Sequence, residues 1–373
     1  MKKILVLVII TFFWSCQEDK NPDYESVEGL RAAYSSGDYS LWPEPELHES
    51  IDKDSFEDIG VLPGLDENKD NPYTTEKYDL GRALFFERRL SKSNEVSCAT
   101  CHVPSKGWTD HEERSFGHDE QTGKRNAMTI LNAAYAEKLF WDGRALSLEH
   151  QAMFPIADPV EMNEKLPIAV KTIQDLPKYQ ELFEKAFGED QINMQNIQKA
   201  IAVFERQIVS PPSKFDKFIS GKSELFTDSE VRGLHLFRTK AQCINCHNTP
   251  YFSDNQFHND GLGHFGTKNE DLGLYYFTGD KNDIGKFRTP TLREVSMTGP
   301  WMHTGFFKTL KDVITYYNLG NPMPVSPRYF KKDTTRKRPQ KAKMLEPLEL
   351  TKQEQADLLA FIKTLTTEGV TKF

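Results

Sequence analysis

Apolar positions recur along most of this chain at the three- and four-residue spacing of a helix, and few stretches alternate with the period of two that marks a strand. The clearest case is Ala356-Asp357-Leu358-Leu359-Ala360-Phe361-Ile362, an amphipathic run opened by the capping box Thr351-x-x-Glu354. A second capping box, Thr227-x-x-Glu230, opens another helix. From 144 to 210 helical periodicity runs between turn signals at Pro155, Pro159, Pro167 and Pro177, and Pro211-Pro212 marks a boundary. The pattern also repeats itself. Leu80-Gly81-Arg82-Ala83-Leu84-Phe85-Phe86 and Arg232-Gly233-Leu234-His235-Leu236-Phe237 both carry G-x-x-L-F on a helical run. A mostly α protein of two related helical domains is predicted.

The first residues read as an address. Lys2 and Lys3 precede an apolar run from Ile4 to Ile10, and Phe12, Phe13 and Trp14 extend it to Ser15-Cys16. A positive start, a short apolar core and a small residue at the break describe a secretory signal over 1–15. Ser15-Cys16 resembles a bacterial lipoprotein cleavage site, with Cys16 as the lipidated residue; an ordinary signal with an incidental cysteine is the alternative. Residues 16–50, rich in Glu, Ser, Asp and Pro, then read as a flexible tether from a lipid anchor. The expected location is exported, on a membrane facing the periplasm.

Composition narrows the classes further. The 373 residues include 47 Lys and Arg against 55 Asp and Glu, a net charge of −8, which argues against a nucleic-acid partner. Hydrophobic residues make up 38% and there are 25 Phe, enough for a buried core. No apolar run reaches the ~18–20 residues that cross a bilayer. One basic stretch stands out: Arg328, Lys331, Lys332, Arg336, Lys337, Arg338, Lys341 and Lys343 face only Asp333. It reads as a solvated loop, with docking to an acidic partner or lipid headgroups as the other reading.

Beyond Cys16 the cysteines fall in two close pairs, each followed by histidine: Cys98-Ala99-Thr100-Cys101-His102 and Cys243-Ile244-Asn245-Cys246-His247. C-x-x-C-H is the attachment pattern of a c-type haem. Two thiols one helical turn apart can add to the two vinyl groups of a porphyrin, and the adjacent histidine supplies an axial nitrogen. A zinc site of four thiolates would leave His102 and His247 unexplained. A redox C-x-x-C would need a βαβ setting, and disulfides across such short loops would constrain little chain. Two cytochrome c-like domains, each with one covalently bound haem, are therefore expected: 51–212 and 213–373.

Several further motifs carry a resemblance: Gly123-Lys124-Arg125-Asn126, Phe140-Trp141-Asp142-Gly143-Arg144, Phe287-Arg288-Thr289-Pro290-Thr291-Leu292-Arg293 and Thr309-Leu310-Lys311-Asp312-Val313. With the two haem signatures, the chain from Tyr78 to Leu365 resembles the bacterial di-haem cytochrome c peroxidases and their relatives of the MauG type. The resemblance implies that His102 ligates a peroxidatic haem in the N-terminal domain. His118 matches a removable distal ligand, with His111 as its rival; read alone, His118 is a loop histidine. Glu161 matches the distal acid-base carboxylate and Gln151 its pocket companion, although Glu161 by itself reads as a solvated helix-end residue. Such a carboxylate takes a proton from one oxygen of hydrogen peroxide and returns it to the other.

The resemblance also implies that Trp141 lies between the haems, and that Asn126 with the carbonyls of Thr298 and Pro300 holds a calcium ion. Arg125 and Arg144 are candidates for pairing with haem propionates or for solvated surface positions. At the electron-transfer haem of the C-terminal domain, His247 is the proximal ligand, and Tyr317 stands where the peroxidases place methionine, as in the MauG branch. Met297, Met302 and His303 are its rivals. The implied activity is reduction of hydrogen peroxide to water with electrons from a small cytochrome c or a cupredoxin, and a homodimer is compatible with it. The alternatives are a MauG-type oxidase acting on a protein side chain, a pure electron-transfer di-haem cytochrome, and a zinc-stabilised module.

Overall fold

The structure is a computed structural model, and it describes residues 22–322 and 339–367. The signal at 1–15, Cys16 and most of the basic stretch lie outside the described residues. The helices are α1 (Val27–Tyr34), α2 (Thr75–Phe85), α3 (Cys98–Cys101), α4 (Leu148–Gln151), α5 (Met153–Ala157), α6 (Leu166–Gln174) and α7 (Pro177–Phe187). They continue as α8 (Met194–Arg206), α9 (Lys214–Ile219), α10 (Asp228–Arg238), α11 (Tyr275–Thr278), α12 (Leu310–Asn318) and α13 (Lys352–Lys363). Among the described residues the strands are β1 (Phe257–His258) and β2 (Phe287–Arg288), antiparallel with Phe257 opposite Arg288. No described helix is long and apolar enough to cross a membrane.

Local sequence explains the helix ends. Thr227 with Glu230 and Thr351 with Glu354 form reciprocal capping boxes at α10 and α13. Pro167 and Pro177, expected as turn signals, instead sit in the first turns of α6 and α7. A proline costs nothing there, because its missing N–H is one of the donors a helix start leaves unpaired.

The two main hydrophobic cores among the described residues are built around helices on either side of Pro211-Pro212. The first packs α2 against α7 and α8, with Leu80, Leu84, Phe85, Ile197, Ile201 and Phe204 inside. The second packs α10 against α13, with Val231, Leu234, Phe237, Leu358 and Phe361 inside. The repeated glycine of G-x-x-L-F does the same job in both. A methyl on Gly81 would fall under 3.0 Å from the Ala200 carbonyl oxygen, and one on Gly233 equally close to that of Asp357. Each glycine lets two helix backbones cross in contact, as no larger residue could.

The stretch expected to be a tether is folded from residue 22 onward. Leu30, Tyr34, Trp42 and Ile59 are buried in the second core, and α1 packs on α10. The Tyr34 hydroxyl meets His235 Nδ1 at 3.0 Å, and the Arg238 guanidinium lies over the Tyr34 and Trp42 rings while pairing with Asp58. The polar overall composition concealed these apolar anchors. The N-terminal arm through Ile59 thus belongs to the second core, so the expected domain start at 51 is corrected as well; the first core takes its residues from Leu80 to Ile208.

Candidate functional site

Both C-x-x-C-H loops are single helical turns. The His102 N–H donates to the Cys98 carbonyl at 3.0 Å, and the His247 N–H to the Cys243 carbonyl at 2.9 Å. This winding places two thiols and an imidazole on one turn. All four thiols are free and half-buried. Burial pushes the Cys101 and Cys243 thiols up to about 12 and raises Cys98 as well.

Each histidine is held in one tautomer. Nδ1 of His102 donates to the Trp108 carbonyl at 3.2 Å, and Nδ1 of His247 to the Phe252 carbonyl at 3.0 Å. The carbonyls can only accept, so Nδ1 carries the hydrogen and Nε2 keeps its lone pair. Burial lowers the pKa of both rings. Two neutral imidazoles with Nε2 available and paired thiols beside them are the donor set a c-type haem requires. Cys98 packs against the first core and Cys243 against the second, and among the described residues no group of side chains within reach of one metal ion joins the two pairs, which speaks against a zinc site of four thiolates. Among the described residues the group of three metal-binding side chains within reach of one ion is Cys246, Asp254 and His258.

A cavity opens on the second loop. Cys243, Cys246 and His247 line it together with Trp141, Arg288, Met302 and Tyr317. Burial, with the Asp260 carboxylate adding to it, holds the Tyr317 phenol far above its ordinary pKa. Met297 and His303 are placed elsewhere. Met297 packs against Gly107 and the first core. The His303 ring stacks on Phe287 with centroids 3.5 Å apart. Trp141 is 8% exposed; its Nε1 donates to the Asn126 carbonyl at 3.0 Å, and its own carbonyl accepts the Arg288 N–H at 2.8 Å. It therefore joins the segment around Asn126 to β2. Asn126, Thr298 and Pro300 line the same cavity. The Asn126 Nδ2 is held by the Glu112 carbonyl, which leaves Oδ1 as its ligand atom.

Around the first loop the structure separates the two histidine candidates. His111 is exposed, and its Nε2 donates to the Met297 carbonyl at 2.9 Å. His118 is 7% exposed, its Nδ1 has no partner and its Nε2 lies 3.3 Å from Asp119. The backbone N–H of His118 donates to the Glu161 carbonyl at 2.7 Å, so the loop carrying His118 is fastened to the residue beside which it is expected to act. Burial pushes the Glu161 carboxyl up to about 7; Asp158 adds to the rise and the Arg144 guanidinium opposes it. Gln151 ends α4 and is half-buried.

Arg125 and Arg144 are committed to carboxylates. Arg125 bridges Asp142 at 2.6 Å and Asp271 at 2.7 Å, tying together segments 146 residues apart, and Arg144 pairs with Asp142 at 2.9 Å. One functional candidate escaped the sequence reading. Glu205 on α8 is fully enclosed, with Oε2 unpartnered, and burial pushes its carboxyl up to about 8. Its signal was available: Glu205 continues the buried stripe Ile197, Ile201 and Phe204, where a carboxyl is out of place.

Residues 75–224 match the model of the family described as di-haem cytochrome c peroxidase. The chain is 35% identical over 342 residues to the cytochrome-c peroxidase IdrP1 of Pseudomonas sp. strain SCT, covering 84% of this chain and 86% of that protein. It is 39% identical over 303 residues to the methylamine utilization protein MauG of Methylorubrum extorquens, covering 80% and 81%. Among solved structures, a MauG-like protein associated with microbial copper homeostasis matches with a TM-score of 0.74 at 31% identity, over 87% of this chain and 97% of that one.

Proposed function

The chain belongs to the di-haem cytochrome c peroxidase and MauG family and is a di-haem peroxidase, an oxidoreductase acting on peroxide; from that premise we propose how its residues divide the work and what supplies its electrons. The observation that carries the reading is the pair of imidazoles, each with Nδ1 on a backbone carbonyl and Nε2 left available beside two thiols. Cys98, Cys101 and His102 would hold one c-type haem, and Cys243, Cys246 and His247 the other. When bound, these groups supply the redox-active iron that peroxide reduction needs.

Glu161 is the proton carrier: ionised, it accepts a proton from one peroxide oxygen, and protonated, it delivers that proton to the departing oxygen as water forms. Gln151 orients peroxide beside it. His118, on a loop hydrogen-bonded to Glu161, closes the distal side and must swing away to admit peroxide. Electrons enter at the second domain from a small cytochrome c or cupredoxin and pass through Trp141. Tyr317 supports a second use, because an anionic ligand favours higher oxidation states and so the MauG-type oxidation of a protein side chain. The oxygens of Asn126, Thr298 and Pro300 suit a calcium ion. Export and a lipid on Cys16 follow from the N-terminal sequence.

The test is stoichiometric. Protein matured with two haems is reduced, made anaerobic and titrated with hydrogen peroxide. One peroxide should reoxidise two electron equivalents, and a reduced cytochrome c should sustain turnover. A spectrum that ignores peroxide at both reduction levels would leave only an electron carrier.

A further inference from the structure

Three arginines are buried among the described residues, at 1%, 2% and 4% exposure: Arg238, Arg293 and Arg288. Arg238 is paired with Asp58, and Arg293 with both oxygens of Asp216 at 2.9 and 3.0 Å. Among the described residues no carboxylate pairs with Arg288. Its Nη1 reaches the Thr289 carbonyl at 3.3 Å, its Nη2 the Met128 sulfur at 3.6 Å, and its Nε nothing. The Tyr251 hydroxyl also lies beside it.

A guanidinium cannot shed its proton to escape burial, and a buried charge without a counter-charge is among the costliest arrangements in a protein interior. The missing anion must therefore come from whatever fills the space Arg288 faces. That space is the cavity lined by Cys243, Cys246 and His247. The anionic groups of a c-type haem are its two propionates, and a carboxylate is the partner the planar guanidinium fork fits best. Arg125 and Arg144 are already committed to Asp142 and Asp271.

We infer that Arg288 anchors a propionate of the haem held by Cys243, Cys246 and His247, and that its backbone bond to Trp141 fixes the indole relative to that haem. Arg288 is thus a positioning residue. The inference rests on the di-haem reading above.

Wild type, Arg288→Gln and Arg288→Lys are purified as holoprotein, haem is counted, and both haem potentials are measured by spectroelectrochemistry. Fewer than two haems per wild-type chain would sink the di-haem reading itself, whatever Arg288 does. With two present, removing the cation leaves the propionate charge uncompensated, so the second haem's potential should fall in Arg288→Gln. It should return towards wild type in Arg288→Lys, with the first haem unchanged. The propionate bending band in the resonance Raman spectrum should move in the Gln variant. Loss of the second haem from Gln but not Lys supports the same assignment. An unshifted potential and band with both haems retained overturns it, as does equal haem loss in Gln and Lys. A wild-type potential that follows acetate or chloride added to the buffer would assign Arg288 to a free anion and overturn it too.

Discussion

Replacing Glu161 by Gln should abolish most activity and, at alkaline pH, make the protein more stable. Both effects have one cause. Burial holds the carboxyl at about 7 against an ordinary 4.5, with Asp158 reinforcing it. The unfolded chain releases this proton near pH 4.5 while the folded chain keeps it up to about pH 7, so folding stability declines as pH rises through that window and stays reduced above it. At 1.36 kcal/mol for each tenfold, the penalty above pH 7 is at most roughly 3 kcal/mol. Glutamine carries no charge to bury and escapes it. Thermal unfolding of the variant should therefore match wild type near pH 4.5 and exceed it at pH 8, by about 2–4 °C for each kcal/mol recovered. Catalysis runs the other way. Ionised Glu161 is the base, so kcat/KM of wild type should rise about tenfold per pH unit below 7 and level off above it. The variant should lose roughly two to four orders of magnitude and that limb of the profile. A variant keeping full activity, or a wild-type profile flat from pH 5.5 to 8, would remove Glu161 from the mechanism. A variant no more stable than wild type at pH 8 would refute the burial argument even if activity were lost.

Gly81→Ala and Gly233→Ala should each destabilise their own domain, because overpacking at a helix crossing costs about 1–3 kcal/mol or more and outweighs the ~1 kcal/mol gained from helix propensity; a raised melting temperature in either would contradict the backbone contacts described. Tyr317→Phe should alter the absorption and electron paramagnetic resonance of one haem alone and raise its potential, since an anionic phenolate no longer favours the ferric ion. Met302→Leu should leave them unchanged, and the opposite pair of results would exchange the two residues' roles. Trp141→Phe should retain both haems, lose about 1 kcal/mol with the bond to the Asn126 carbonyl, and slow reduction of the first haem in stopped-flow traces; unchanged traces would take the indole out of the electron path.

The helices were readable because their signals are periodic and local: the capping boxes at Thr227 and Thr351 and the repeated G-x-x-L-F all specify structure within a dozen residues. The haem loops were readable because C-x-x-C-H packs its chemistry into one turn. The N-terminal arm was misread, since Leu30, Tyr34 and Trp42 sit in a stretch of polar overall composition and act only through a core assembled two hundred residues later. His118 and Glu161 sit on irregular loops, where periodicity is silent, and only family spacing singled them out.

Arg288 and Glu205 were legible in a different sense, as contradictions. Each places an ionisable group where the local pattern asks for an apolar side chain, in Phe287-Arg288 of β2 and on the buried stripe of α8; burial keeps Glu205 protonated, whereas Arg288 keeps its charge. A folding argument treats such a residue as an error to be tolerated. The other buried arginines are neutralised by aspartates of the chain itself, so this protein does not tolerate the error where it has a choice. A buried charge left without such a partner therefore points beyond the polypeptide, to the group that the cavity was shaped to receive.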